Sequence, residues 1–593
     1  MTLRSTARVF FSLSVATWFA EPAIAQSVCS EGRVGRIVIE RLDVFETPGE
    51  PEPESLLLGL GNAIHMRTSE SFIRGELLFE PGDCYDPFLA SESERILRSR
   101  SIIKEASITS ERLADGSVQV RVRTQDDWSL SISFGISFDE GLKFEGIGAS
   151  ENNFLGRGVS LGVTRSTDRE FQELGGLLGA TRFLGTPFAL SLGSGETRVG
   201  PYVDQGLERP FLSELGRFAI RQEFSIRDDN FAYSLGESAG TTHVLLPYEQ
   251  SVLSLTGAFR TGGPGGLWLF GAGLSRHTLD YAEGLTTAEV VIDDEFGSPA
   301  PASDAERMAI EAQAAPLAAT RLNTLFGFRR VSFAVREGLD GIRAVQDVKV
   351  GTEGVLTLGR SISGLGRPGD ANDLYARFDL FGGMAPGPLV VSGDAFIEGR
   401  RGLGDDPAAG LWRDVVAQID TRVYWKPLKR SGHTMLARVK AAGAWSMDRP
   451  FQLTGGGREG VRGYSRDAYP GASRLLLTLE DRSVLLTRTA LDVGLAIFGD
   501  LGQMWAGDVP YGADSGWKAS VGLGFRVSLP GGTVGATRFD FTLPLSGDRE
   551  RNGVYFRFYT ELGALLRSID GRGQVDRSRW SGIDGDLTAR SSR

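Results

Sequence analysis

The sequence predicts an all-β transmembrane barrel of about 16 antiparallel strands, preceded by a small α+β domain. Three observations predict this fold. The chain begins with a secretory leader, no later apolar stretch is long enough for a membrane-spanning helix, and segments from residue 128 onward alternate apolar and polar residues. Glycine is enriched, at 78 of 593 residues, which favours a barrel with many turns over a helical fold.

Residues 1–25 have the pattern of a secretory signal peptide. Arg4 and Arg8 provide the positive start, and an apolar stretch runs from Val9 to Ala20. Ala23-Ile24-Ala25 then has the small-residue pattern of a cleavage site. The apolar stretch is shorter than the roughly 20 residues that a spanning helix needs, so we expect export rather than anchoring.

Residues 26–127 predict a small α+β domain in the order strand, helix, helix, strand, strand. The strands contain β-branched residues in alternation, and the second helix places apolar residues on one face. The predicted strands are Arg36–Val44, Lys104–Leu113 and Ser117–Arg123, and the predicted helices are Glu54–Ala63 and Pro87–Arg98.

Both cysteines of the chain, Cys29 and Cys84, lie in this domain. An oxidising compartment favours a disulfide between them, while two free thiols or a metal site are the alternatives. A metal site is disfavoured because the four histidines do not form a ligand cluster with the cysteines. We predict neither a metal nor a cofactor.

Residues 128–562 predict the barrel wall. Period-two alternation sends apolar residues to one face and charged residues to the other, over lengths near the 9–11 residues that a membrane strand requires. A soluble β-sandwich is the alternative, but the polar faces repeatedly carry Arg, Asp and Lys, and aromatic residues end the apolar faces. Roughly 27 residues per strand and connection give about 16 strands. The clearest segments are Trp128–Phe138, Val415–Trp425, Trp517–Val527 and Phe539–Leu545.

Two segments depart from this pattern. Residues 277–316 predict a long surface loop with one short helix at Ala305–Ala314, on a side of the membrane that the sequence does not determine. Gly553–Leu562 is predicted as the last strand. Residues 563–593 form a polar tail. Either this tail hangs free, or Gly553–Leu562 is not the last strand.

A glycine-flanked arginine and a later strand carry the most informative motifs. An arginine that folds into a barrel needs a carboxylate, because buried charges are costly unless they pair. Asp500 can supply that carboxylate, whereas an exposed loop arginine is the alternative. The residues of the two motifs are Gly460, Val461, Arg462, Gly463 and Tyr464 in the loop, and Phe498, Asp500 and Gly502 in the strand.

These motifs resemble those of the BamA/TamA superfamily of outer-membrane assembly and transport proteins. The loop resembles the family's V-R-G-F/Y tip, the strand resembles its F-x-D-x-G motif, and Glu151–Gly158 resembles a turn after the early barrel strands. The N-terminal domain resembles a POTRA domain. The resemblance implies that Arg462 folds into the lumen and bridges Asp500 and Glu480.

The resemblance also implies a function and a location. It implies an outer-membrane barrel with its N-terminal domain in the periplasm, which captures unfolded outer-membrane clients and releases them through the barrel seam. Outer-membrane lipids and accessory periplasmic proteins are the other expected partners. A two-partner-type secretion pore and a plain channel or structural barrel are the alternatives.

Catalysis and nucleic-acid binding are not expected. Gly158–Gly162 fits G-x-S-x-G, but its serine begins an alternating strand instead of lying between a strand and a helix, so we predict no enzyme. The formal net charge of −11 without basic clusters argues against nucleic acid.

Overall fold

The structure is a computed structural model. It describes residues 29–46, 56–137, 143–168, 171–236, 242–281, 283–291, 299–362, 370–404, 409–427, 432–457, 459–488, 491–528, 537–546, 555–560, 573–577 and 579. The signal peptide predicted for residues 1–25 lies outside the described residues. Within them, no helix is long and apolar enough to cross a membrane.

The described residues up to 126 form a three-stranded sheet packed against helices. The strand order is β1-β3-β2, with β1 parallel and β2 antiparallel to β3. Leu97, Ile103 and Val120 are completely buried in the core between the two layers. The elements are β1 (Val34–Leu42), α1 (Leu56–Ile64), α2 (Glu70–Glu76), α3 (Pro87–Arg98), β2 (Ile103–Arg112) and β3 (Val118–Asp126).

The sequence missed α2, which is only seven residues long and contains Gly75. Ser69 caps this helix, because its side chain accepts a hydrogen bond from the backbone N–H of Phe72. Helix α3 has the predicted bounds, and the ends of the strands differ from the predictions by one to three residues. Cys29 and Cys84 are joined by a disulfide.

The rest of the chain builds one large antiparallel sheet arranged as a barrel. Each strand pairs with its neighbours in chain order, and β25 lies next to β4 in the sheet. A small hairpin, β13–β14, is added at the end of β11. The strands are β4 (Leu130–Ser137), β5 (Lys143–Phe154), β6 (Val159–Asp168), β7 (Phe171–Ala180), β8 (Ala189–Glu196), β9 (Pro201–Arg209), β10 (Phe218–Ser234), β11 (His243–Gly263), β12 (Gly266–Asp280), β13 (Glu289–Val291), β14 (Pro299–Pro301), β15 (Leu317–Glu337), β16 (Val345–Ser361), β17 (Asp373–Met384), β18 (Leu389–Gly402), β19 (Trp412–Trp425), β20 (His433–Trp445), β21 (Ser473–Thr487), β22 (Asp492–Trp505), β23 (Lys518–Ser528), β24 (Thr537–Pro544) and β25 (Tyr555–Thr560).

The described residues contribute 22 strands to this sheet, and two of these, β13 and β14, form the added hairpin, which leaves 20 in the wall, more than the 16 or so that were predicted. The prediction assumed one average spacing for the whole barrel. The first strands are closer together than that average, as β6 and β7 are separated only by residues 169–170. Within the predicted last strand, Gly553–Leu562, the structure describes β25 at Tyr555–Thr560.

The wall is apolar outside and charged inside. On β22, Ile497 is 59% exposed, whereas its neighbours Phe498 and Ala496 are buried. Inward side chains include Arg321 and Asp373, which pair with each other and are almost completely buried. A soluble β-sandwich would bury its apolar face instead. Exposed tryptophans near strand ends form the expected interfacial girdles; they are Trp268, Trp412, Trp425, Trp445, Trp505 and Trp517.

Antiparallel pairing places alternate connections at opposite ends of the barrel. We call the end that contacts the N-terminal domain the domain end, and the other the loop end. Residues 281–316 connect β12 to β15 at the loop end, where the backbone N–H of Ala315 donates to the carbonyl of Asp448. The predicted loop at 277–316 is wrong in part, because β12 continues to Asp280 and the segment contains β13, β14 and helix α4 (Asp304–Glu311).

The N-terminal domain contacts several turns at the domain end. Arg98 of α3 donates two hydrogen bonds to Asp347 of β16, at 3.0 and 2.9 Å. Glu92 of α3 accepts a hydrogen bond from the backbone N–H of Glu214, between β9 and β10. Burial raises the pKa of Glu92, but the hydrogen bond and charge of Arg95 outweigh it, so the pKa is lowered overall.

The turn after β5 makes further contacts with this domain. The side-chain amide of Asn153 donates to the carbonyl of Met66 and the hydroxyl of Thr68, at 3.1 and 2.9 Å. The backbone N–H of Ser69 donates to the carbonyl of Gly156. The Glu151–Gly158 turn therefore ties the domain to the first strands of the barrel.

The turn between β15 and β16, residues 338–344, reaches across the inner face at the domain end. Arg343 donates two hydrogen bonds to Asp492 at the start of β22, both at 2.9 Å. Asp340 accepts a hydrogen bond from Tyr424 of β19, and the carbonyl of Leu339 accepts one from Arg482 of β21. The turn thus bridges strands that are not its neighbours.

We expect Arg98→Ala to weaken the contact between the domain and the barrel by roughly 2 kcal/mol, because it removes two hydrogen bonds to a charged group. Hydrogen–deuterium exchange of residues 338–344 and of α3 measures this as faster exchange. Arg74→Ala is the control, since Arg74 pairs with Glu70 on an exposed face of α2. Equal exchange in the two variants would contradict the prediction.

Candidate functional site

Residues 446–472, here called the lumen loop, connect β20 and β21 at the loop end and fold back against the inner face of the wall. Val461 is 2% exposed and packs against Leu476 of β21. A Cβ added at Gly502 would lie 2.5 Å from a methyl group of Val461. The glycine of the strand motif therefore lets the loop approach the wall closely.

Arg462 binds two carboxylates on the inner face of the wall, those of Asp500 and Glu480. Its Nε and Nη2 donate to the two carboxylate oxygens of Asp500, at 2.6 and 2.9 Å. Its Nη1 donates to Oε2 of Glu480 at 3.3 Å. This forked geometry matches the planar guanidinium and makes the contact both strong and directional.

The ring of Phe498 also contacts this arginine. The Cζ atom of Arg462 lies 3.5 Å from the centre of the Phe498 ring, so the guanidinium stacks on the aromatic face. A Cβ at Gly522 of β23 would lie 2.4 Å from the same ring, so a glycine there makes room for it. The sequence identified Phe498 as part of a motif but not this contact.

Arg462 belongs to a larger charge cluster. Among the described residues this cluster includes arginines and acids on the lumen loop, β21, β22, β23 and β24. Asp540 lies 3.8 Å from Arg462 and also binds Arg526, and Glu480 accepts a hydrogen bond from Arg482 at 2.8 Å. The members are Arg462, Arg482, Arg526, Glu480, Asp500 and Asp540.

Backbone constraints explain the glycines that flank the arginine. Gly463 has φ of +87°, and a Cβ there would lie 2.9 Å from the Thr542 side chain. A Cβ at Gly460 would lie 2.2 Å from the carbonyl oxygen of Gly455. Larger residues at either position would move Arg462 away from Asp500.

Tyr464 fixes the far side of the loop tip. Its ring is buried, and its hydroxyl lies 2.9 Å from the carbonyl of Ala519 and 2.5 Å from that of Ser546. These two residues border β23 and β24, so the five-residue motif spans the wall from β21 to β24. The arrangement holds the loop in place against the wall.

Sequence reasoning missed Asp540 and Arg526 as members of this cluster. Both lie at inward positions of strands whose alternation was recognised, so their direction was predictable. Their distance from Arg462 depends on the register of β22, β23 and β24, which no motif in the sequence determines.

The family comparison agrees with this geometry. Residues 437–564, which include the lumen loop and the six residues of the charge cluster named above, match the Omp85 superfamily domain. This match agrees with the resemblance of the loop and strand motifs to those of the BamA/TamA superfamily. No curated protein matches the sequence.

Solved structures with a similar outline include two kinds of barrel. BamA from Haemophilus ducreyi lacking POTRA domains 1-3 is 13% identical, with a TM-score of 0.36 over 89% of this chain and 84% of that one. CdiB from Acinetobacter baumannii is 13% identical, with a TM-score of 0.39 over 89% and 73%. CdiB from Escherichia coli is 11% identical, with a TM-score of 0.37 over 91% and 92%.

We expect Arg462→Ala to destabilise the barrel by roughly 3–5 kcal/mol, because it leaves Asp500 and Glu480 enclosed without their shared cation. Arg462→Lys should lose less, since an ammonium keeps the charge but not the fork. Urea unfolding of the barrel in micelles measures both.

Arg488→Ala is the matched control, because Arg488 is exposed in the turn after β21 and donates only to the carbonyl of Thr487 among its hydrogen bonds in the described structure. An unfolding midpoint of Arg462→Ala that equals that of Arg488→Ala would show that the cluster does not stabilise the barrel.

Proposed function

We propose that this protein inserts other β-barrel proteins into the outer membrane. In this proposal the N-terminal domain is a POTRA module in the periplasm that captures unfolded clients, and the seam between β4 and β25 opens to release them into the lipid. No enzymatic step is needed, since pairing of unpaired strand edges and burial of apolar surface provide the driving force.

The topology of the seam carries this proposal. Strands β4 and β25 are neighbours in the sheet, although β4 is the first and β25 the last strand of the wall in chain order. Neighbouring strands elsewhere in the wall are also joined by the chain segment that connects them, whereas no such connection joins β4 to β25. The wall can therefore part at the seam without moving a connection, and a client strand that pairs there satisfies the backbone groups that opening leaves unpaired in lipid.

The N-terminal domain is well placed to feed this seam. Strand β3 ends at Asp126 and β4 begins at Leu130, so only three residues separate the domain from the seam. Strand β2 lies at an edge of the small sheet, and its side chains from Thr109 to Arg112 are exposed. An edge strand of this kind can add a client strand by backbone hydrogen bonding.

The lumen loop supports insertion rather than passage through the lumen. Arg462, Tyr464 and Val461 hold the loop to four consecutive strands near the seam, β21 to β24. These contacts keep that side of the wall rigid up to its last pair of strands. Movement is then confined to β25 and β4.

We expect a disulfide between a cysteine in β4 and a cysteine in β25 to stop client insertion into liposomes, and a reductant to restore it. The rate of folding of an added outer-membrane protein measures insertion. The control is Phe326→Cys with Leu356→Cys, which are paired in register on β15 and β16 and cross-link the wall elsewhere. Insertion at an unchanged rate by the seam-locked protein would refute the proposal.

Depletion in the cell separates insertion from secretion. Broad loss of outer-membrane barrels, measured by mass spectrometry of the membrane fraction, is the expected result. Loss of one exported protein with intact barrels would contradict insertion and favour a two-partner-type secretion pore.

A further inference from the structure

A short described segment that follows β25 in the chain lies inside the barrel. Residues 573–577 and 579, here called the tail segment, contain a short helix at Gln574–Arg577 and contact the inner face of the wall beneath the lumen loop. The sequence predicted a polar tail after the last strand that either hangs free or marks another strand. In the described residues the tail segment does neither.

Gln574 is held by the lumen loop and by β21. Its side-chain oxygen accepts hydrogen bonds from the backbone N–H of Thr454 and from Arg474, at 3.2 and 2.6 Å. Its side-chain amide donates to the hydroxyl of Thr454, and its backbone N–H donates to Glu459. Arg474 is completely buried and also binds Glu459, so these groups form one enclosed polar site.

Val575 provides an apolar anchor next to this site. It is 2% exposed and belongs to a cluster at the loop end. Phe451 and Leu453 of the lumen loop are completely buried in the same cluster. The side chain of Asp576, the next residue, is 54% exposed. The segment therefore turns one side chain into a closed pocket and the next toward open space.

Arg579 provides a charged anchor on another strand. Its Nε and Nη2 donate to the two carboxylate oxygens of Glu398 on β18, at 2.9 and 2.8 Å. Its guanidinium also lies over the ring of Phe396, 5.1 Å from the centre. Glu398 has two other partners, Arg377 and Tyr375, so it does not depend on the tail for neutralisation.

The tail segment and the end of β25 lie at opposite ends of the wall. Strand β25 ends with Thr560, which pairs with Thr537 at the domain end. Arg474 lies at the opposite end, next to the first residue of β21. Thirteen residues lead from Thr560 to Gly573 and can span at most about 45 Å, more than the roughly 25 Å of the apolar band of such a barrel.

We infer that the lumen contains a peptide-binding site, formed by Thr454, Glu459, Arg474, Glu398 and the pocket of Val575, and that its resident ligand is the chain's own C-terminal segment. The segment lies in the lumen between β18 and β21 and binds the lumen loop. A polypeptide that passes through or enters the lumen has to displace it. This inference concerns the lumen and does not depend on the seam.

Thiol labelling of the full-length chain tests the inference. The two native cysteines form a disulfide, so Val575→Cys and Asp576→Cys each introduce one reactive thiol. We expect a water-soluble maleimide to label Val575→Cys much more slowly than Asp576→Cys in the folded barrel. Equal labelling rates would overturn the inference, because a free tail exposes both positions alike.

The second part of the labelling test removes the charged anchor, Arg579. Arg579→Ala added to Val575→Cys should raise its labelling rate toward that of Asp576→Cys, while Arg579→Lys should raise it less. The barrel tolerates both changes, because Glu398 keeps Arg377 and Tyr375. Slow labelling that Arg579→Ala leaves unchanged would overturn the assignment of Glu398 as an anchor.

Ion conductance gives a readout of the lumen itself. In planar bilayers, Arg579→Ala should increase the conductance or the open time of single channels relative to Arg488→Ala, the exposed control in the turn after β21. Conductance equal to that of the control would show that the segment does not obstruct the lumen, whatever the outcome of the insertion experiment.

Discussion

A buried charge on the inner face of the barrel wall needs a partner, because an unpaired charge out of contact with water is costly. The architecture of the interior follows from this constraint. Arg321 pairs with Asp373 across neighbouring strands, and Arg462 reaches Asp500 and Glu480 from a loop. The loop arginine thus becomes part of the wall, and the position of residues 446–472 is determined by electrostatics as much as by chain connectivity.

The lumen loop is held from two sides. Arg462 and Tyr464 bind it to β22 and β23, while Gln574 binds another part of it through Thr454 and Glu459. The two sets of contacts use different chemistry. The first is centred on an ion-pair cluster, and the second consists of hydrogen bonds of a neutral amide, two of them to charged groups, next to an apolar pocket.

Much of the wall could be predicted from the sequence, because alternation along a strand depends only on backbone geometry. The faces of β19, β22 and β23 follow in this way, as does Asp500 as an inward carboxylate. The number of strands could not be predicted, because connections vary from residues 169–170 to residues 281–316. Helix α2 is too short to produce a periodic signal.

The contacts missed by sequence reasoning are those that depend on register between distant segments. Asp540 reaches Arg462 only because three strand pairs are aligned, and Gln574 reaches Arg474 across 100 positions of the chain. Neither relation leaves a local pattern. The contact between Glu480 and Arg462 also leaves no local pattern, because nothing near Glu480 in the sequence connects it with Arg462. The family resemblance identified it instead.

Arg482 connects the charge cluster with a turn at the domain end. It donates to Glu480, the partner of Arg462, and also to the carbonyl of Leu339 in the turn that leads into β16. Asp347, a few residues farther on, receives Arg98 of the N-terminal domain. Arg482 therefore joins the acid that binds the lumen loop to a turn at the domain end, and loss of Arg462 from Glu480 would leave Arg482 to share that carboxylate with fewer cations.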